Sequence, residues 1–212
     1  MRFPLIFYIG GACDAVPAVV GLRPRHPPLR GARAWLVAWS LWNTAADVAD
    51  YVLASRHVPN LFLDHVSVPL SVAIALWALA FWQSAELWRL TFRITIVPLL
   101  AAWALLTLAV ENTSSFSTAA EPMVKLVTLA AAAFTLVARS AAARGDHLRH
   151  DWFWVSAGLA LYYGAGATLG PASALLAHGD LRLYLRVYHT WTLVGIGGNL
   201  LLAKGLACPA DP

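Results

Sequence analysis

The chain has 212 residues, of which 59% are hydrophobic and only 12% charged, with ten Trp and a mean hydropathy of +0.63. That balance excludes an ordinary water-soluble domain. The net charge of +4 and pI of about 9.4 come from short basic stretches between apolar segments, so they are read as topology and attraction to anionic lipid, not as nucleic-acid binding.

A spanning helix needs roughly 20 mostly apolar residues. The pattern predicts seven such segments, near residues 3–22, 34–54, 63–83, 94–111, 120–139, 152–177 and 183–204. They fill residues 1–212 as one domain with no soluble module, so the expected fold is an all-α membrane protein, a seven-transmembrane-helix bundle.

The first segment opens MRFPLIFYIGGAC, with an Arg, an apolar run and small residues before Cys13. A signal peptide has these parts, but here the run is short and carries Pro4, and the chain stays apolar well past the small residues, so the segment is read as a helix. Asp14 lies close to Pro17 and either joins a polar cluster or bonds a freed backbone group. The two cysteines, Cys13 and Cys208, stand at opposite ends of the chain and predict neither a disulfide nor a cysteine metal motif.

The second segment, AWLVAWSLWNTAADVADYVLA, carries two carboxylates. Ser40, Asn43, Asp47 and Asp50 are spaced three, four and three, which predicts one helical face, bordered by Thr44 and Tyr51. Each Asp costs on the order of 2.5–3.5 kcal/mol at mid-membrane, so this face is expected to point into the bundle. The third segment opens LFLDHVSVPLS and presents Asp64, His65 and Ser67 at its edge. The fifth opens EPMVK, where Glu121 and Lys125 have the spacing of an ion pair within one helix. In the last segment Arg182, Arg186, His189, Thr192, Gly195 and Asn199 advance by four, three, three, three and four, which reads as a second polar and small-residue face. GAGATLG (164–170) and GIGG (195–198) read as surfaces for close helix packing.

Basic residues orient the bundle. Arg23, Arg25, Arg30, Arg33, Arg89, Arg93, Arg139, Arg144, Arg149 and Lys204 fall on one side, against Arg2, Arg56, Arg182 and Arg186 on the other. The positive-inside rule then puts the N-terminus outside and the C-terminus in the cytoplasm. Trp35, Trp39, Trp82, Trp88, Trp152 and Trp154 fall near the cytoplasmic interface, where amphipathic rings belong.

With that topology, Asp47, Asp50, His65, Lys125, Arg186 and His189 project to similar depth in the exterior half. The expectation is a polar cavity formed by Asn43, Asp47, Asp50, Tyr51, His65, Lys125, Arg186, His189 and Asn199, in a receptor- or sensor-like protein that takes a small polar or lipid-like ligand. Membrane lipids and a cytoplasmic signalling partner on the basic loops are the other expected partners; no cofactor and no catalytic residue is assigned. The bland alternative is a structural ion-pair network in which the carboxylates meet Arg186, Lys125 or His189. A further reading is a transporter or proton pathway, although no inverted repeat is evident.

Asp47, Asp50, His65 and His189 are also residue types that bind zinc. In this the chain distantly resembles the seven-helix family of alkaline ceramidases and adiponectin-type receptors, which implies a zinc-dependent lipid or amide hydrolase. That family carries two histidines four apart on its last helix, whereas here Leu193 stands four residues after His189. The stretches DWFWVSAGLALYYGAG and VYHTWTLVGIGGNLLLAKGL are similar to the last two helices of small bacterial seven-helix membrane proteins of unassigned function, which implies a bacterial inner-membrane location.

Overall fold

A computed structural model describes residues 5–23, 29–111, 117–143, 147–176 and 181–208. Arg2, Pro4, Arg25 and Arg144 of the sequence argument lie outside them. Among the described residues the protein is all-helical. The helices are α1 (Leu5–Asp14), α2 (Val16–Gly21), α3 (Gly31–Ser55), α4 (Asp64–Ala80, entered through a 3-10 turn at Leu61–Leu63), α5 (Glu86–Ala109), α6 (Ala120–Ala142), α7 (Asp151–Leu176) and α8 (Leu181–Ala207). By length and composition, Leu61–Ala80, Glu86–Ala109 and Ala120–Ala142 are long and apolar enough to cross a membrane.

The first predicted helix is broken. Pro17 has no N–H to donate, and one further bond of the helical ladder is opened as well. The hydroxyl of Ser40 on α3 sits between the two groups that would form it: it donates to the Asp14 carbonyl and accepts from the Ala18 N–H at 3.0 Å. An inserted side chain of this kind accounts for a helix break. The opened bond beside Pro17 is thus bridged by Ser40, and the Asp14 side chain turns to Asn199.

α5 begins at Glu86, eight residues before the predicted start, because LWRLTF extends the helix into a polar first turn. There Arg89 donates to the Gln83 carbonyl at 2.7 Å, and Arg93 stacks over Trp77 and Phe81 at 4.9 and 5.4 Å. The helix ends at Ala109, so Glu111 belongs to the connection. Its carboxylate collects the N–H groups of Thr118, Ala119 and Ala120 and the Ser117 hydroxyl, all within 3.2 Å. The Ser117 oxygen in turn accepts from the Glu121 N–H at 2.9 Å. Donors left open at the start of α6 are thus capped by an acid from the start of the preceding connection.

Partial burial pushes the Glu111 carboxyl up, but the hydrogen bonds from Ala119, Ser117, Ala120 and Thr118 outweigh it and hold the group below its ordinary 4.5. A depressed folded value contributes stability that is full above 4.5 and is lost as pH falls through the lowered value. Glu111→Gln is expected to cost about 1 kcal/mol near neutrality, the usual worth of a helix cap. In thermal melts of both proteins the difference should shrink as the pH drops below 4.5; a gap that stays constant into acid would show that the carboxylate charge is irrelevant to the cap.

α7 and α8 form the most extensive interface, with α6 on the far side of α7 and α1 and α2 laid against α8 and α3. α4 sits between α3, α5 and α6. Trp39 and Trp152 are fully buried and Trp82 nearly so, which corrects their assignment to an interfacial belt. Trp39 instead belongs to a closed polar circuit: its Nε1 donates to the Tyr163 hydroxyl (2.8 Å), that hydroxyl shares a hydrogen bond with Ser71 (3.0 Å), Ser71 donates to Asn43 Oδ1 (3.1 Å), and Asn43 Nδ2 donates back to the Trp39 carbonyl (2.8 Å). An indole is stable at that depth because its single donor is met. Trp35 and Trp88 keep exposed faces, and Trp154 lies under the Lys204 ammonium at 4.0 Å.

Candidate functional site

A cavity of about 450 Å³ lies between α1, α3, α6, α7 and α8. Four of the sequence-predicted residues line it: Asp47, Tyr51, Lys125 and Asn199. Its deep wall carries Asp14, Asp47, Tyr162 and Asn199, and its rim includes Tyr8 and Tyr51, whose rings meet edge-on with centroids 5.7 Å apart and are 44% and 39% exposed.

Each deep group is held by its own helix. Asp14 ends α1 at the break, and its Oδ1 accepts from Asn199 Nδ2 of α8. Asp47 projects from α3 so that the two carboxyl groups of Asp14 and Asp47 lie within hydrogen-bonding reach. Gly11 lies against Asp47: a Cβ there would stand 3.6 Å from Asp47 Oδ2, in ordinary contact. Two buried acceptors, Asp47 Oδ2 and Asn199 Oδ1, meet no partner among the described residues. Asn199 is only 1% exposed, so water at the surface does not meet this need.

Lys125 closes another wall. Its ammonium donates to Glu121, the partner that the spacing predicts, and lies 5.3 Å from the centre of the Trp191 ring. The aliphatic stem crosses Gly166, where a Cβ would stand 2.9 Å from it. The lining charge of the lysine is therefore already balanced, while Asp14 and Asp47 form no salt bridge among the described residues.

The remaining predicted residues go elsewhere. Asn43 works in the polar circuit, and Asp50 accepts from Asn60 before the 3-10 turn. Both lie about 100° around α3 from the Thr44, Asp47, Val48 and Tyr51 face that lines the cavity. The single polar face expected on this helix is two faces, one toward α4 and one toward α1. His65 is buried in α4 and does not line the cavity.

On α8 the stripe fails at its upper end. Steps of three fall short of a full turn by about 60°, so the run Arg186, His189, Thr192, Gly195 rotates by about half a turn. Thr192, Gly195 and Asn199 reach the cavity; Arg186 is exposed, and His189 Nε2 is buried without a partner among the described residues, away from the lining. Tyr188 and Trp191 hold the places that the sequence gave to His189 and Arg186. Asp47, Asp50, His65 and His189, the set with zinc-binding chemistry, are consequently dispersed, and no group of three or more His, Cys, Asp or Glu placed to hold a metal occurs among the described residues.

Tyr162, Tyr188 and Trp191 are the additions that the structure makes, and of the two places open to Asp14 it takes the polar cluster. Asp14 had a visible signal, a carboxylate three residues after the Gly10–Gly11 pair in an apolar segment. The aromatic residues had none, since Tyr and Trp recur throughout the chain. No family model matches this chain, and no curated protein or solved structure does either.

Proposed function

We propose that the chain is an integral membrane protein of seven spanning helices whose cavity binds a small polar or lipid-like ligand, as a receptor or sensor does. The broken α1–α2 rod and α3, α7 and α8 join the three apolar helices as spans. The basic surplus at the end where α2 and α8 finish supports a cytoplasmic location for that end, with the cavity in the exterior half. An exposed apolar face on α5, including Leu87, Ile94, Val97 and Leu108, is suited to lipid. The assignment to a bacterial inner membrane rests only on the likeness of the last two helices.

One observation carries the binding reading: a roomy cavity lined by residues whose buried polar atoms, Asn199 Oδ1 and Asp47 Oδ2, lack partners among the described residues. Buried acceptors left unmet cost about 1–3 kcal/mol each, a cost that a bound donor removes. The volume lies in the range of roughly 300–1,000 Å³ typical of small-molecule sites. A hydrolytic zinc site wants about three protein ligands together, and the described residues do not assemble them. Binding therefore takes precedence over hydrolysis.

Gly195 provides the test, because a Cβ at this cavity-lining position would meet nothing within 4 Å. Gly195→Phe is expected to fold and to fill the cavity. Native mass spectrometry of protein purified in mild detergent should show a small-molecule or lipid adduct on the wild type and lose it in the variant. An adduct retained equally by both would place the ligand elsewhere and defeat the proposal.

A further inference from the structure

The acceptors at the bottom of the cavity define a ligand class. Asp14 and Asp47 lie within hydrogen-bonding reach of each other, so at most one shared proton stands between them and their remaining lone pairs only accept. Asn199 spends its amide donor on Asp14 and leaves Oδ1 without a partner, although the residue is 1% exposed. Two acceptors, Asp47 Oδ2 from α3 and Asn199 Oδ1 from α8, thus lack a donor among the described residues, beside an Asp14 carboxyl from α1 that accepts from Asn199. Such a cluster calls for a group that only donates and carries positive charge.

The walls agree with this. Tyr162, Tyr188 and Trp191 line the same cavity, and aromatic faces attract organic cations. Lys125 does not supply the missing charge, since Glu121 holds its ammonium and Trp191 lies beneath it. Building on the binding function above, we infer that the cavity takes the protonated amine of an organic ligand, with its N–H groups directed at Asp47 and Asn199 and its apolar part toward the tyrosine rim. A primary or secondary ammonium fits better than a quaternary one, because only N–H donors satisfy Asn199 Oδ1. This headgroup chemistry is shared by free amines and by aminophospholipids.

The test uses full-length protein in lipid-depleted detergent and four probes of one shape: 2-phenylethylammonium, its N,N,N-trimethyl derivative, 2-phenylethanol and 3-phenylpropionate. Thermal stabilisation should follow the primary ammonium, with affinity at least about tenfold above the alcohol and the trimethyl compound, and none for the carboxylate. Asp47→Asn should weaken the ammonium by about tenfold or more while leaving the alcohol unchanged; should that variant fail to fold, the ranking of probes on the wild type still decides. Displacement of the ammonium by phosphatidylethanolamine but not phosphatidylcholine would assign the site to a lipid headgroup, and displacement by neither to a free amine. Equal or better binding of the alcohol or the carboxylate, lost in Gly195→Phe, would overturn the amine assignment and leave a ligand cavity. No binding by any probe, together with an adduct indifferent to Gly195→Phe, would defeat both.

Discussion

Adding one methyl group at Gly158 is expected to cost about 3 kcal/mol of stability and to reduce sharply the yield of folded protein. A Cβ there would stand 2.7 Å from the Gly198 carbonyl oxygen, 2.9 Å from Leu202 Cγ and 3.0 Å from the Leu202 nitrogen. The relation is reciprocal, for a Cβ on Gly198 would stand 3.0 Å from the Gly158 carbonyl oxygen and 3.2 Å from the Tyr162 nitrogen. Two of the three obstacles, the Gly198 oxygen and the Leu202 nitrogen, are backbone atoms that cannot rotate aside, so α7 and α8 must move apart along their shared surface. Alanine's better helix propensity returns about 1 kcal/mol at most. Gly195→Ala is the internal control, with the same chemistry on the same helix pair but open space, and should be neutral or slightly stabilising. Thermal unfolding of the two variants in detergent compares them directly; equal midpoints would show that backbone contact at Gly158 does not hold these helices.

The second large effect is expected at Arg33. Its guanidinium is buried in α3 and donates to the carbonyls of Leu206 and Cys208, the latter at 2.9 Å, so one side chain caps the C-terminus of α8. Hydrogen bonds from a charged donor are worth about 1.5–3 kcal/mol each, and the positive charge also meets the negative end of the helix dipole. Arg33→Ala should therefore destabilise by about 3 kcal/mol. Arg33→Lys should recover only part of this, because an ammonium is a point donor and cannot span two carbonyls as the planar fork does. A lysine variant as stable as the wild type would show that charge alone suffices.

Arg33 also illustrates what was legible in the sequence. As a basic residue near a helix start it was counted toward topology, and nothing local revealed that it reaches the far end of the chain. Helix existence was readable from apolar runs, because 20-residue stretches of such composition have few other uses. Helix faces were read less well. Asp47 and Asp50 are three residues apart, close enough to be grouped, yet one looks to α1 and the other to Asn60. On α8 the repeated steps of three concealed a rotation that takes Arg186 and His189 off the cavity while keeping Thr192, Gly195 and Asn199 on it. Trp39 looked interfacial by position and is core, because Tyr163, 124 residues away, supplies its acceptor. The close backbone contact of α7 with α8 joins Gly158, outside both glycine-rich stretches, to Gly198, the last residue of GIGG, so the packing surface was read on one helix and missed on the other.

The hydrogen bonds that join the two ends of the chain have a consequence for the order of biosynthesis. Asp14 waits for Asn199, 185 residues downstream, and Arg33 for Leu206, 173 residues downstream. During synthesis the first two rods must therefore be held with a carboxylate and a guanidinium unmet until the last helix emerges. Those early charges are left to water, lipid headgroups or an assisting protein in the interim. α8 acts as the closing piece: a ribosome that stops before residue 199 leaves behind a chain with most of its apolar helices made and neither of these two polar ties formed.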